Sequence, residues 1–182
     1  SANHSEEPII FRDDREMLKE ISDFILSHNR PIHMLADDSV ARIFDNQIYM
    51  VRRSRGYVPL PLNLPFRVSK KILAIGPMLK TTFSIIYNNR AIVSQYIGNT
   101  DSPVSISAER FLIEQYQKLF SFVPDVVVMD KHPHYPNRIL AQDYPDCKII
   151  EVQHHRAHVG SLLAEHGITE PVIGISLDGT GY

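Results

Sequence analysis

The chain has 182 residues, with 19 basic and 21 acidic side chains and a net charge of −2. Its 43% hydrophobic and 22% charged residues are ordinary globular usage, which argues against a disordered chain. No apolar run approaches the ~20 residues of a membrane-spanning helix, and the near-neutral balance argues against a strongly basic nucleic-acid binder.

The spacing of Leu18, Ile21 and Ile25 predicts a helix over residues 13–27, with Asp13 and Asp14 at its start and Pro31 beyond its end. Strand patterns follow in residues 32–53. There Val40, Ile43 and Phe44, then Ile48, Met50 and Val51, flank the turn pair Asp45-Asn46. Residues 57–69 carry Pro59, Pro61 and Pro65 and no periodicity. They read as a linker, with a domain boundary near residue 68. A short strand over 71–75 comes next, then strands over 82–87 and 91–97 joined in a hairpin at Asn88-Asn89. A helix over 105–120 presents Phe111, Leu112, Tyr116 and Leu119 on one face. The valine-rich residues 125–129 read as a buried strand, and a weak helix follows His134. Residues 148–152 form another buried strand, 155–166 another helix, and 172–177 a last apolar strand. This order predicts an α/β fold: a mixed sheet with parallel members and helices on its faces.

Six of the nine histidines lie between His132 and His166. In Gln153-His154-His155-Arg156-Ala157-His158, His154 and His158 are four apart, so on a helix they project from one face. Two such imidazoles can hold one transition-metal ion if a third ligand comes from elsewhere. The same spacing also suits a polar helix start whose histidines bond locally. The pair follows a buried strand, where open α/β sheets place ligands. Further on stands Leu177-Asp178-Gly179-Thr180-Gly181. Asp178 can ligate a cation there, and backbone N–H groups around Gly179 and Thr180 can approach phosphate oxygens. Asp-Gly is equally a plain turn dipeptide. Taken together, His154, His158 and Asp178 make a plausible His-His-Asp metal site.

Lys80 and its neighbouring threonines lie in a turn that can meet a phosphate or be a solvated hairpin tip. Asp130-Lys131-His132-Pro133 ends a strand, where loops often carry function. Arg52, Arg53 and Arg55 form a cationic cluster suited to phosphate or carboxylate, or else a solvated basic strand. Asn3 and Ser39 offer small polar groups. The single cysteine, Cys147, excludes an internal disulfide and a cysteine-rich zinc module. It suits a reducing, cytoplasmic compartment, and with no base beside it reads as structural. Asn3, His4, Glu6 and Glu7 interrupt any signal-peptide core.

These segments, in this order, resemble one family. Ser1-Ala2-Asn3 through Glu7-Pro8 is similar to the S-A-N-x-S-G-E-P signature of YrdC-like domains, with Glu6 in place of glycine. Asp37-Asp38-Ser39-Val40 and residues 52–59 (R-R-S-R-G-Y-V-P) resemble the end of that domain in the HypF family, carbamoyltransferases of nickel–iron hydrogenase maturation. Residues 76–83 resemble its G-x-x-L-K-N-T-F, with Thr81 for asparagine. Residues 95–98, 130–135, 152–158 and 177–182 continue the match.

The resemblance implies the end of a YrdC-like α/β domain (1–66), then the first lobe of an actin-like ATPase, ribonuclease H-like domain (69–182). A chain holding parts of two domains is expected to be inactive alone. In such proteins carbamoyl phosphate yields carbamate, which ATP activates as carbamoyl-adenylate. The carbamoyl group then passes to the C-terminal cysteine of the partner HypE. The resemblance assigns His154, His158 and Asp178 to a divalent metal (zinc or iron, or magnesium with the nucleotide) and to catalysis. It places Asn3, Ser39 and Arg52 near ATP, and Lys80, Asp178, Gly179 and Thr180 are nucleotide candidates with them. Cys147 matches no nucleophile of the family, so the thiol must come from the partner. Two alternatives are the related tRNA threonylcarbamoyl system and a metal- or nucleotide-binding module without turnover. The fused order and the R-R-S-R-G-Y-V-P and L-D-G-T-G-Y strings favour HypF.

Overall fold

The computed structural model describes residues 8–11, 15–179 and 182. Helix α1 spans Arg15–Ile21, shorter than the 13–27 expected. The expected N-terminal Asp13 and Asp14 lie outside the described residues. Past Ile21 the pattern finds no surface to bury against, since Phe24 is 93% exposed. A short helix without a packed face is marginal. Strands β1 (Val40–Phe44) and β2 (Gln47–Arg52) form the expected antiparallel hairpin. Asp45 (φ 49°) and Asn46 (φ 55°) both take the left-handed conformation that a tight hairpin turn demands.

The stretch read as a linker carries the first part of β3, a long strand over Leu62–Ala74, so the expected boundary at residue 68 falls inside a strand. Pro65 sits in the gap of the β3–β4 register between Asn63 and Val68, where its missing N–H costs no ladder bond. Residues 82–97 differ more. In place of two strands and a hairpin they hold one strand, β4 (Ser84–Val93), antiparallel to β3. Asn88 (φ 53°) stands opposite Val68 between two register shifts. Asn88-Asn89 is therefore an irregularity within a strand, because β3 offers a continuous partner on both sides of it.

Helix α2 (Pro103–Leu119) starts at a capping box. The Ser102 hydroxyl accepts from the Ser105 N–H at 3.2 Å, and the Ser105 hydroxyl accepts from the Ser102 N–H at 3.2 Å. Its buried stripe is Ser105, Glu109, Leu112, Ile113 and Tyr116, whereas Leu119, expected on that face, is 57% exposed. Strand β5 (Val126–Asp130) pairs in parallel with β3 and with β6 (Lys148–Val152). A 3-10 helix, Pro136–Asp143, takes the place of the weak helix after His134. Helix α3 spans His154–His166.

The four-stranded sheet has the order β4-β3-β5-β6, mixed as expected. Leu73, Phe83, Ile85, Ile92, Leu112 and Val127 are buried between the sheet, α2 and the 3-10 helix. Each such side chain contributes about 1.5–3 kcal/mol. The Tyr116 ring meets Phe83 edge-on at 5.0 Å, and its hydroxyl donates to Gln95 Oε1 at 2.8 Å. Gln95 in turn donates from Nε2 to the Leu35 carbonyl at 2.6 Å, tying the segment before β1 to this core.

Two expectations change at the C-terminal side. Strand β6, expected to be buried, is an edge strand with exposed isoleucines. Residues 172–177 form no strand, because no described strand lies beside them to complete a ladder. Instead they pass along α3. A Cβ on Gly174 would fall 2.5 Å from Val159 Cγ2, so glycine permits this approach. Among the described residues no helix is long and apolar enough to cross a membrane.

Candidate metal centre

The parallel pairing of β5 and β6 sets Asp130 opposite Val152 at their carboxyl ends. Gln153 follows in extended backbone and caps α3, its side chain accepting from the Arg156 N–H at 2.9 Å. The helix therefore begins at His154, and His158 stands one turn on. Their Nε2 atoms are 3.1 Å apart. Asp178 Oδ2 lies 3.1 Å from His154 Nε2 and 3.6 Å from His158 Nε2. One ligand atom from each of the three lies within 4.8 Å of the others. Two imidazole nitrogens and a carboxylate oxygen are the donor set of zinc and similar divalent ions.

A fourth residue completes the arrangement. Asp130 Oδ2 sits 2.6 Å from His154 Nδ1. Its other oxygen accepts from the His132 N–H at 2.8 Å. With only 8% of its side chain exposed, Asp130 is fixed from both sides. A carboxylate accepting from Nδ1–H leaves the Nε2 lone pair of His154 facing His158 and Asp178, the usual support of a metal-bound histidine. The sequence singled out Asp130 as the start of a loop at a strand end and within the 130–135 resemblance, but gave it no role at the metal. The missed signal is register: parallel strands ending together put Asp130 beside the chain two residues before His154.

Around the group, His132 stacks on Tyr135 (4.2 Å between centroids, 8° between planes) and meets Tyr182 edge-on. Burial, then the charges of Asp130 and Asp178, push the Tyr135 hydroxyl above its ordinary pKa. The Tyr182 carbonyl accepts the His154 N–H at 3.0 Å. A cavity of about 500 Å³ opens beside His158 and Asp178, walled by α3 and residues 172–177.

The other expected site residues stand elsewhere in the chain. The Ser39 hydroxyl donates to the Arg55 carbonyl at 2.8 Å and accepts from the Ser54 N–H at 2.8 Å. Arg52 pairs with Asp37 at 2.7 Å and lies over the Tyr96 ring at 4.1 Å. Lys80 (φ 52°) occupies the turn between β3 and β4, its N–H donating to Asn99 Oδ1 at 3.1 Å. In that turn Thr81 is fully buried and its hydroxyl is taken up by the Pro77 and Met78 carbonyls, so it is a structural residue. Gly179 directly follows Asp178, while Asn3 and Thr180 lie outside the described residues. Cys147 Sγ donates to the Pro124 carbonyl at 3.1 Å, and burial with nearby Asp146 and Asp125 raises its pKa, against a nucleophilic role.

Comparison with known proteins identifies the family. Residues 67–165 match the family model of the HypF Kae1-like domain. Carbamoyltransferase HypF of Synechocystis sp. is 40% identical over 91% of the chain and 22% of that protein. Probable carbamoyltransferase HypF of Methanocaldococcus jannaschii is 35% identical over 100% of the chain and 24% of that protein. The chain thus spans less than a quarter of the length of these curated relatives. The crystal structure of full-length HypF in its phosphate- and nucleotide-bound form superposes with a TM-score of 0.91 at 42% identity, over 100% of this chain and 29% of that one. T. kodakarensis HypF gives 0.90 at 39% identity, over 100% and 24%. Matched over more than half its length by the family model and over its whole length by solved HypF structures, the chain belongs to the HypF family.

Proposed function

We propose that the chain contributes the metal-binding part of a carbamoyl-transfer site. In this reading carbamoyl phosphate and ATP are the substrates, carbamoyl-adenylate is the activated intermediate, and the C-terminal cysteine of HypE is the acceptor. The sulfur–carbon bond forms as the carbon–oxygen bond to AMP breaks, and the thiol proton is lost. His154, His158 and Asp178 would hold a divalent ion, zinc or iron, or magnesium with the nucleotide. Such an ion supplies polarisation of the carbamoyl oxygen and neutralises adenylate charge.

The chain's own residues prepare the site. With the Nδ1–H of His154 donated to Asp130, its Nε2 is turned toward His158 and Asp178, where the ion would sit. Gly179, Thr180 and Lys80 are assigned to phosphate contacts, and Asn3, Ser39 and Arg52 to the adenylate-forming half. The attacking thiol is read as the partner's; Cys147, whose thiol donates to backbone and is raised in pKa, is read as structural.

The observation that carries this reading is the convergence of His154, His158 and Asp178 within 4.8 Å, in a chain of the HypF family. The test uses the full-length protein containing this chain, with carbamoyl phosphate, ATP and HypE. Mass spectrometry follows one added carbamoyl group on the HypE C-terminal peptide. His154→Ala is expected to abolish that addition while pyrophosphate release continues. Carbamoylation at the unsubstituted rate would refute the assignment.

A further inference from the structure

His154 and the carboxylate that orients it belong to different strands: His154 follows β6, whereas Asp130 ends β5. Their 2.6 Å contact therefore depends on how the two strand ends sit against each other. One side chain spans those ends. Arg138, on the 3-10 helix, donates from Nη1 to the Asp130 carbonyl at 2.6 Å and from Nη2 to the Glu151 carboxylate. Glu151 pairs with Met129 in the β5–β6 ladder, one step before Asp130 and Val152. The planar guanidinium thus bridges backbone on one strand and a carboxylate on the next, a fork geometry that lysine does not reproduce.

The helix carrying Arg138 is itself anchored. The neighbouring Asn137 is 2% exposed and donates from Nδ2 to the Gly76 carbonyl at 2.9 Å, with Glu109 Oε2 at 3.4 Å. The 3-10 helix is therefore pinned to the end of β3 and to α2, and Arg138 reaches from that anchor to the metal side of the sheet.

We infer that Arg138 is a positioning residue for the metal centre, acting through Asp130: it locks the β5 and β6 ends so that the carboxylate meets His154 Nδ1. This rests on the metal-binding reading above. Removing an outer partner of a metal-bound histidine usually weakens metal affinity about 10–100-fold.

The test is titration of the chain with Zn²⁺, and with Co²⁺ followed by its visible absorption. Arg138→Gln is expected to weaken binding about tenfold and to alter the Co²⁺ spectrum. Arg138→Lys, which keeps the charge and one donor, is expected to recover part of the affinity. If Arg138→Gln proves unfolded by circular dichroism, Arg138→Lys carries the comparison. The deciding measurement is the cycle with Asp130→Asn. If Arg138 acts through Asp130, the double variant binds no more weakly than Asp130→Asn alone. Fully additive losses, or unchanged affinity in both Arg138 variants, would overturn the inference. Failure of the metal reading would look different: His154→Ala with His158→Ala would then leave affinity intact.

Discussion

Glu109 gives the sharpest test of the core. It lies on the buried stripe of α2 and is fully buried. Among the described residues Asn137 Nδ2 approaches one carboxyl oxygen at 3.4 Å, and the other, Oε1, has no partner. Burial raises its pKa to about 8, with the Asn137 bond opposing in part. The folded chain thus keeps a proton that the unfolded chain releases above its ordinary value of 4.5. Stability is fully present below that value and falls as pH rises towards about 8, at roughly 1.4 kcal/mol per pH unit. Between pH 5 and pH 8 the loss sums to roughly 3–4 kcal/mol, a large share of a typical 5–15 kcal/mol total. Glu109→Gln keeps the shape and removes the charge. Urea unfolding at pH 5 and pH 8, followed by circular dichroism, should show this loss in the unsubstituted chain and not in the variant. Equal pH dependence in both would refute the buried neutral carboxyl.

Two further substitutions probe the frame of the site. A Cβ on Gly76 would lie 2.1 Å from the Thr82 carbonyl oxygen, a backbone atom that cannot step aside. Gly76→Ala should therefore lower the thermal midpoint markedly, and an unchanged melt would contradict the packed turn. Tyr116→Phe removes the hydroxyl that meets Gln95 and leaves a buried acceptor unpaired. It should cost about 1–3 kcal/mol by denaturant unfolding, and no measurable loss would contradict that bond.

Local signals in the sequence were enough for much of the fold. Asp45-Asn46 marked the β1–β2 turn, and the alternation of apolar runs located α2, β5, β6 and α3 almost to the residue. What local patterns cannot supply is the partner. Asn88-Asn89 has the composition of a hairpin turn, yet β3 runs alongside on both sides and keeps β4 in one piece. Residues 172–177 have the composition of a strand but find no described strand to pair with. The three prolines of 57–69 suggested a linker, yet Pro65 fits β3 where the ladder skips.

The site divides the same way. His154 and His158 were legible because helical spacing alone puts them on one face. Asp178 was legible as a carboxylate at the end of an apolar run. Asp130 and Arg138 were not, because their roles arise from strand register and from a 3-10 helix crossing two strand ends. No spacing rule links residue 130 to residue 154.

If His154, His158 and Asp178 together hold a divalent ion as proposed, removing two of the three ligands removes the site. Calorimetric titration of the chain with Zn²⁺ tests it most directly, beside a variant carrying both His154→Ala and His158→Ala. Saturable binding of one ion per chain is expected, absent from the double variant while its circular dichroism spectrum is retained. Equal affinity in the two proteins would contradict it.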